Sequence, residues 1–337
     1  MSQSLRNKTK QTTNSRHNAR RNDKGSGDKN DSTQSRPILL TPALLRGWPL
    51  PQPDKGGDKE ERGRVLIVGG ATEMPGAIIL AATAALRAGA GKLQIATCRS
   101  IAQLVAAAVP EARVFHLPET KAGDIAASAA AVVAEHANRV QAVLIGPGMV
   151  EETAVVRMMR ALLPRLTSPT LILDAAALAC AKGGAQEALH KFHGKVVLTP
   201  HAGEMASLTG IDKELVLQDP LKIARRAATE LRAVIALKGA ETFIAAPSTH
   251  ETYCNRTGNV GLATSGSGDT LSGIITGLVA RGAAPVQAAA WGVYLHGCAG
   301  DKLARRMGRL GFLARELLSE VPALMAEFDG HKNGLKK

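Results

Sequence analysis

Short apolar runs that end in glycine recur along the chain and alternate with helical stretches. The first is Arg64-Val-Leu-Ile-Val-Gly-Gly70, and a helix that opens at Pro75 and stops at Gly89 follows it. Proline at the first helical position and glycine after the last one is the expected asymmetry. Further strand-like runs cover residues 92–98, 140–146, 170–174, 195–199, 233–238 and 242–246. This alternation predicts an α/β fold, with a mostly parallel central sheet and helices on both faces.

Helical stretches separate most of the predicted strands, and the last quarter of the chain is helical. Beyond the first helix, the predicted helices cover residues 124–137, 152–166, 219–230, 269–282, 285–305 and 313–328. No repeat and no linker divides this part of the sequence. We therefore expect residues 37–330 to form a single domain.

The net charge of +13 is concentrated in one segment. Residues 1–36 hold nine Lys or Arg against three Asp, and therefore supply six of the thirteen charges. Few apolar side chains are present there to offset the entropy of ordering, which predicts a disordered basic tail. The tail has no aromatic residue to stack on bases, so a nucleic-acid partner is not favoured. Residues 331–337 form a second, short polar tail.

The cysteines are widely spaced and include no CxxC pair. They are Cys98, Cys180, Cys254 and Cys298. This spacing predicts reduced, buried thiols, not a disulfide framework or a zinc site. Because no apolar run is long enough to span a bilayer and no secretory h-region follows the charged N-terminus, we expect a cytoplasmic protein without a membrane partner.

The strongest chemical signal is Thr264-Ser-Gly-Ser-Gly-Asp-Thr-Leu-Ser-Gly273 at the start of a predicted helix. Its glycines allow consecutive backbone N–H groups to point into one concavity, and a helix N-terminus adds partial positive charge. Gly266, Ser267 and Gly268 would form an anion hole for a phosphoryl group. Asp269 could then accept a proton from an attacking hydroxyl. The alternative is an ordinary helix start with Asp269 or Ser267 as its N-cap.

Two segments upstream supply context for this element. Thr257-Gly-Asn-Val-Gly-Leu-Ala-Thr264 is a glycine-rich approach that brings backbone close to a ligand. Leu237-Lys-Gly-Ala-Glu-Thr-Phe-Ile244 predicts a strand, a tight turn and a second strand. The turn could hold an adenine nucleotide by backbone contacts and by Lys238 or Thr242, although alone it could be any hairpin.

Three more segments follow predicted strands. Thr199-Pro-His-Ala-Gly-Glu-Met205 would place His201 and Glu204 at the carboxyl edge of the sheet, where α/β folds bind ligands. A single histidine is more often structural, but this position favours a functional one. Ile145-Gly-Pro-Gly-Met149 and Val68-Gly-Gly-Ala-Thr-Glu-Met-Pro-Gly-Ala77 are glycine-rich strand ends that admit a ligand close to backbone. Together these ends predict a long, polar, phosphate-bearing ligand.

Several common sites are absent from the sequence. Gly89-Ala-Gly-Lys-Leu93 has neither the spacing nor the hydroxyl of a P-loop, and no GxGxxG follows the first strand. His190 and His193 lie in a polar turn, and we expect no metal site built from side chains there. No serine or cysteine nucleophile motif is present.

The order of these motifs resembles the ADP/ATP-dependent NAD(P)H-hydrate dehydratases, a branch of the ribokinase-like superfamily. The resemblance covers about residues 40–325. The G-S-G-D element is shared with many sugar and vitamin kinases, whereas P-H-A-G-E, K-G-x-x-T and T-G-N-x-G in this order are much more specific. Arg256 stands where the resemblance suggests a smaller residue or proline. The family often carries an N-terminal epimerase domain, which a chain of this length has no room for, so the resemblance implies the stand-alone form.

The resemblance implies a role for each matching residue. Asp269 would be the catalytic base, and magnesium and ADP or ATP would be the cofactor and phosphoryl donor. The residues that would contact the hydrated dinucleotide are Ala77, Gly148, His201 and Asp269. Those that would hold the nucleotide are Lys238, Gly239, Ala240, Glu241, Thr242 and Gly268. A homotetramer, and a separate epimerase as a working partner, are also implied.

The chemistry that the resemblance implies suits a kinase-type site. Hydroxide at C6 of the hydrated nicotinamide ring is a poor leaving group, whereas phosphate is a good one. The expected reaction is dehydration of hydrated NADH or NADPH through phosphorylation of that hydroxyl, with ADP giving AMP. Two alternatives remain open: a small-molecule kinase of the same fold, acting on a vitamin or sugar alcohol, and a catalytically silent nucleotide sensor.

Overall fold

The computed structural model describes residues 36–329, apart from 55, 57–59, 168, 183–185 and 248–250. The two predicted tails, residues 1–36 and 331–337, lie outside the described residues except for Arg36. No helix in the described part of the chain is both long and apolar enough to cross a membrane.

One sheet contains all ten strands of the described residues. The strands are β1 (Ile38–Leu39), β2 (Arg64–Val68), β3 (Lys92–Cys98), β4 (Ala112–Leu117), β5 (Ala142–Ile145), β6 (Thr170–Leu173), β7 (Val196–Leu198), β8 (Val234–Leu237), β9 (Thr242–Ala245) and β10 (Thr252–Asn255). Their order across the sheet is β1-β10-β9-β8-β7-β6-β5-β2-β3-β4. Only β9 runs antiparallel to its neighbours, β8 and β10. The prediction of a mostly parallel α/β sheet is therefore confirmed.

Twelve α-helices lie in the described residues. They are α1 (Pro42–Arg46), α2 (Pro75–Arg87), α3 (Ala102–Ala108), α4 (Ala130–Ala137), α5 (Glu152–Leu162), α6 (Glu187–His190), α7 (Ala202–Thr209), α8 (Lys213–Gln218), α9 (Pro220–Leu231), α10 (Ser267–Ala280), α11 (Pro285–Met307) and α12 (Ala314–Ala326). Every residue of β5, β7 and β8 is buried. Because successive side chains point to opposite faces of a sheet, both faces of these strands are covered.

Two helices, α2 and α10, pack closely enough to bring their N-termini together. A Cβ on Gly273 would lie 2.2 Å from the carbonyl oxygen of Ala81, and one on Gly277 would lie 2.3 Å from that of Ala85. Such distances exclude any side chain, so only glycine permits this approach. The close packing places the start of α10 beside the start of α2 at the carboxyl edge of the sheet.

Some predicted elements differ from the observed ones. The helix predicted over residues 124–137 is wrong in its first turn, since a 3-10 turn (Ala127–Ala129) precedes α4. Asp124 is instead buried in a loop, where its carboxylate accepts the N–H groups of Val150 and Glu151. In the helix predicted over residues 152–166, α5 ends before a 3-10 turn that contains Pro164. Strands β1, β4 and β10 were not predicted.

Candidate active site at the carboxyl edge of the sheet

The G-S-G-D element forms the first turn of α10, as expected for an anion-binding helix start. The N-cap is Gly266, whose φ of 86° lies in the left-handed region that favours glycine. A Cβ on Gly266 would also lie 2.4 Å from Leu80 of α2. Neither Ser267 nor Asp269 is the N-cap, so the alternative of a simple capping role is wrong. The predicted anion hole of Gly266, Ser267 and Gly268 is wrong at one position, since the N–H of Ser267 donates to the carbonyl oxygen of Thr264 at 3.2 Å. The turn offers an anion the N–H groups of Gly266 and Gly268 and the partial positive charge of the helix.

Asp269 lies in the first turn of α10 and is largely shielded from solvent. The pKa of its carboxyl is raised to about 6, mainly by burial and then by the negative charge of Asp174. The positive charge of Lys238 opposes this rise. A carboxylate with a pKa near 6 is a stronger base than an ordinary aspartate, yet it is still mostly ionised at neutral pH. The site can thus remove a proton from a ligand hydroxyl.

Lys238 follows β8 and points into the site. Its Nζ lies 3.2 Å from Oδ1 of Asp174 and 3.8 Å from Oε2 of Glu204. Burial alone would lower the pKa of Lys238, but the carboxylates of Asp174 and Glu204 outweigh it and raise that pKa. A Cβ placed on Gly268 would be 3.5 Å from this Nζ. The ammonium group therefore lies directly beside the anion hole.

The rest of the predicted nucleotide turn is separate from this ammonium group. Gly239, Ala240 and Glu241 are exposed between β8 and β9, and Thr242 begins β9 half-buried. Glu241 forms an ion pair with Arg256, the residue that departs from the expected pattern, at 2.5 Å. The turn is thus exposed, whereas the side chain of Lys238 lies mostly buried beside Asp174 and Glu204.

His201 is the N-cap of α7 and takes part in a capping box. Its Nδ1 accepts the N–H groups of Gly203 and Glu204 at 3.0 and 3.1 Å, and Glu204 accepts the N–H of His201 at 2.8 Å. Because Nδ1 is an acceptor, the proton of the neutral imidazole is on Nε2. The side chain of His201 is 59% exposed. It therefore has a structural role and also remains accessible to a ligand.

Ala77 and Gly148 lie side by side at the carboxyl edge of the sheet, after β2 and β5 respectively. Gly148 has a φ of 69°, and a Cβ there would lie 3.1 Å from the Cβ of Ala77 and 3.3 Å from the Cα of Gly70. The loop that contains Gly146 and Gly148, called the glycine loop below, also contacts Asp174, the ion-pair partner of Lys238. A Cβ on Gly146 would be 1.8 Å from the carbonyl oxygen of Asp174. The structure thus places the predicted residues in two adjoining groups.

Two side chains that the sequence reading did not single out hold the site in place. Asp174 directly follows β6, and its Oδ1 also accepts the hydroxyl of Thr199 at 2.8 Å. An acid directly after a buried strand is a signal that could have identified it. His296, from α11, makes a 3.0 Å hydrogen bond to the hydroxyl of Ser267. Burial lowers the pKa of His296 to about 4, so it is neutral at physiological pH.

The fold class is confirmed by comparison with solved structures. A ribokinase-like superfamily protein from Enterococcus faecalis is 27% identical, with a TM-score of 0.73 over 86% of this chain and 96% of that one. The site described above lies where open α/β sheets bind ligands, outside the carboxyl ends of the strands. The chain is thus a ribokinase-like α/β protein.

The family is shown by sequence comparison. The model of the NAD(P)H-hydrate dehydratase family matches residues 65–323. An ADP-dependent (S)-NAD(P)H-hydrate dehydratase from Xanthomonas campestris is 46% identical over 294 residues, which are 87% of this chain and 98% of that enzyme. The structure of an ADP/ATP-dependent NAD(P)H-hydrate dehydratase from Bacillus subtilis, co-crystallized with ATP/Mg²⁺, is 31% identical, with a TM-score of 0.74 over 87% and 99% of the two chains. The chain belongs to the NAD(P)H-hydrate dehydratase family.

Proposed function

We propose that this protein dehydrates the hydrated S form of NADH and NADPH, with ADP as the phosphoryl donor. The observation that carries the proposal is the juxtaposition of a base, a cation and an anion hole. These are Asp269 with its raised pKa, the Lys238 ammonium group and the start of α10. Such a group of residues can deprotonate a hydroxyl and stabilise the phosphoryl group that it attacks.

The reaction proceeds by phosphorylation followed by elimination. Asp269 takes the proton of the C6 hydroxyl while the hydroxyl oxygen attacks the terminal phosphorus of ADP, and AMP leaves. The lone pair of N1 of the ring then expels phosphate by breaking the C6–O bond. Loss of a proton from C5 restores the dihydropyridine. The products are NADH or NADPH, AMP and phosphate.

Two sides of the site receive the two substrates in this proposal. The turn from Lys238 to Thr242, together with Gly268, holds the adenine nucleotide. Ala77, Gly148 and His201 contact the hydrated dinucleotide, with its C6 hydroxyl at Asp269. Gly266 and Gly268 donate backbone N–H groups to the phosphoryl oxygens, and Lys238 neutralises the charge that develops on them. Ser267 and its partner His296 fix the first turn of α10.

A magnesium ion fits this donor set. The described residues contain no group of three or more acidic, histidine or cysteine side chains that could hold a metal by themselves. Magnesium is usually bound by one or two carboxylates together with phosphate oxygens and water, so a closed protein cage is not needed. Glu204, partly exposed and near Lys238, is the carboxylate that would hold it. The ion would neutralise negative charge on the phosphate groups.

The proposal also includes features that rest on the resemblance. These are a homotetrameric assembly, a cytoplasmic location and a separate epimerase that supplies the S form of the substrate.

The purified protein, incubated with hydrated NADH, ADP and magnesium, is expected to regenerate NADH and release AMP and phosphate in equal amounts. The increase in NADH absorbance measures the reaction directly. A stable phosphorylated product without NADH would indicate a kinase, and absence of any turnover with either ADP or ATP would indicate a sensor. Both outcomes would contradict the proposal.

His201→Ala is expected to raise KM for the hydrated dinucleotide more than KM for ADP. It also removes the N-cap of α7, which costs about 1 kcal/mol of stability. His201→Asn separates the two effects, because asparagine is a good N-cap but lacks the ring. We expect His201→Asn to keep the melting temperature and still raise KM for the dinucleotide. A selective rise in KM for ADP would place His201 on the nucleotide side.

A further inference from the structure

A cavity of about 340 Å³ lies next to the glycine loop, outside the cluster around Asp269. Its walls come from the loop after β4 and from the start of α5. The lining includes Thr120, Lys121, Glu151 and Arg157. None of these residues has a role in the mechanism above, and the volume is within the range of small-molecule sites.

Hydrogen bonds to Asp124 connect the loop after β4, which lines this cavity, to the loop that contains Gly148. Asp124 is only 2% exposed, and its carboxylate accepts the N–H of Val150 at 3.1 Å and that of Glu151 at 2.7 Å. Glu151 lines the cavity and follows Gly148 by three residues, so their Cα atoms are at most about 11 Å apart. A ligand that contacts Gly148 can therefore reach the cavity if it is longer than a nicotinamide ring.

The order of the strands gives the direction in which such a ligand extends. The nucleotide turn follows β8, and the glycine ends that face the hydrated dinucleotide follow β5 and β2. Beyond them the sheet continues to β3 and then to β4, the edge strand whose loop lines the cavity. A dinucleotide whose nicotinamide lies at Asp269 and which passes Gly148 would extend toward this side of the sheet, away from the nucleotide turn.

The charge of the cavity matches a phosphate. Lys121 and Arg157 are exposed, and neither forms an ion pair with any residue in the described part of the chain. Glu151 also lines the cavity, and its carboxylate accepts the hydroxyl of Thr153 at 2.7 Å. With one carboxylate against two cations, the lining keeps a net positive charge. A phosphomonoester carries nearly two negative charges at neutral pH, and lysine and arginine bind it by charge-assisted hydrogen bonds.

We propose that this cavity binds the adenosine half of the hydrated dinucleotide and that Lys121 and Arg157 bind its 2′-phosphate. Hydrated NADPH carries this phosphate and hydrated NADH does not, so the two cations make the enzyme prefer hydrated NADPH. The inference rests on the proposed function, since it takes the dinucleotide as the substrate.

The double variant Lys121→Gln/Arg157→Gln tests the assignment. KM for hydrated NADPH is expected to rise about tenfold, because two charge-assisted contacts are lost, while KM for hydrated NADH rises less than about threefold. The matched control is Arg87→Gln, which removes an exposed arginine at the far end of α2, about 18 Å along the helix axis from its first residue. The control is expected to leave both KM values unchanged.

A binding measurement gives a second readout that does not depend on turnover. Wild-type protein is titrated with NADP⁺ and with NAD⁺ at increasing salt concentration. We expect NADP⁺ to bind more tightly, with a steeper loss of affinity in salt, and this difference to disappear in the double variant. Equal effects on the two dinucleotides, or no effect on either, would overturn the assignment. Failure of the wild-type protein to convert hydrated NADH would instead refute the proposed function.

Discussion

Replacing Asp269 by asparagine is expected to lower kcat about 10²–10⁴-fold, while the Kd for ADP changes by less than about threefold. The substitution keeps the size of the side chain but removes the group that accepts the C6 hydroxyl proton. Asp212→Asn, which changes an exposed aspartate at the start of α8, is the matched control and should leave kcat unchanged. Equal losses of ADP binding and turnover would show that Asp269 shapes the helix start instead of acting as a base.

The raised pKa of Asp269 makes this prediction pH-dependent. Because the carboxylate is the active form, kcat/KM of the wild-type protein should rise with pH through a midpoint near 6.

The folded pKa of Asp269 lies above the ordinary value of 3.8, so stability falls as pH rises from about 4 to about 6 and does not recover above that. Asp269→Asn removes this penalty, which corresponds to about 2–3 kcal/mol at neutral pH. We therefore expect Asp269→Asn to raise the melting temperature by a few degrees while activity is lost.

The central sheet could be predicted because the local sequence of each buried strand is enough to identify it. Runs such as β2 and β5 are apolar on both faces and end in glycine, so their composition indicates both their type and their boundaries. The edge strand β4 has no such signal. Most of its residues are not buried, and its sequence, Ala-Arg-Val-Phe-His-Leu, mixes polar and apolar side chains. Its one sheet partner in the described part of the chain is β3, so its position is set by tertiary contacts that its composition does not reveal.

The candidate site was predictable to the extent that its residues lie in contiguous motifs. Asp269, Lys238 and His201 each lie in a glycine-rich segment at a strand end or a helix start. The residues that support them come from distant positions. His296 reaches Ser267 from the middle of α11, where a buried histidine resembles any other core residue in the sequence. Such contacts depend on how the helices pack, and no local pattern encodes them.

The ion pair of Asp174 and Lys238 is the contact on which the electrostatics of the site most depend. Asp174 is buried, and Thr199 and Lys238 both donate to its Oδ1. Its negative charge raises the pKa of Asp269, whereas the positive charge of Lys238 lowers it. In the proposed reaction Asp174 thus acts through Asp269 and Lys238, and we regard it as a positioning residue.

Asp174→Asn is expected to lower the free energy of unfolding by about 3 kcal/mol, because it removes the nearest partner of the largely buried Lys238 and leaves only the weaker attraction of Glu204 and Asp269. The pH midpoint of kcat/KM should also move below its wild-type position near 6. This shift follows because a like charge is removed from Asp269 and the full charge of Lys238 is left to act on it. Adding Lys238→Met should restore part of the stability, since no unpaired buried charge remains, but not the turnover. A midpoint that stays in place or moves upward would mean that Asp174 serves the fold alone.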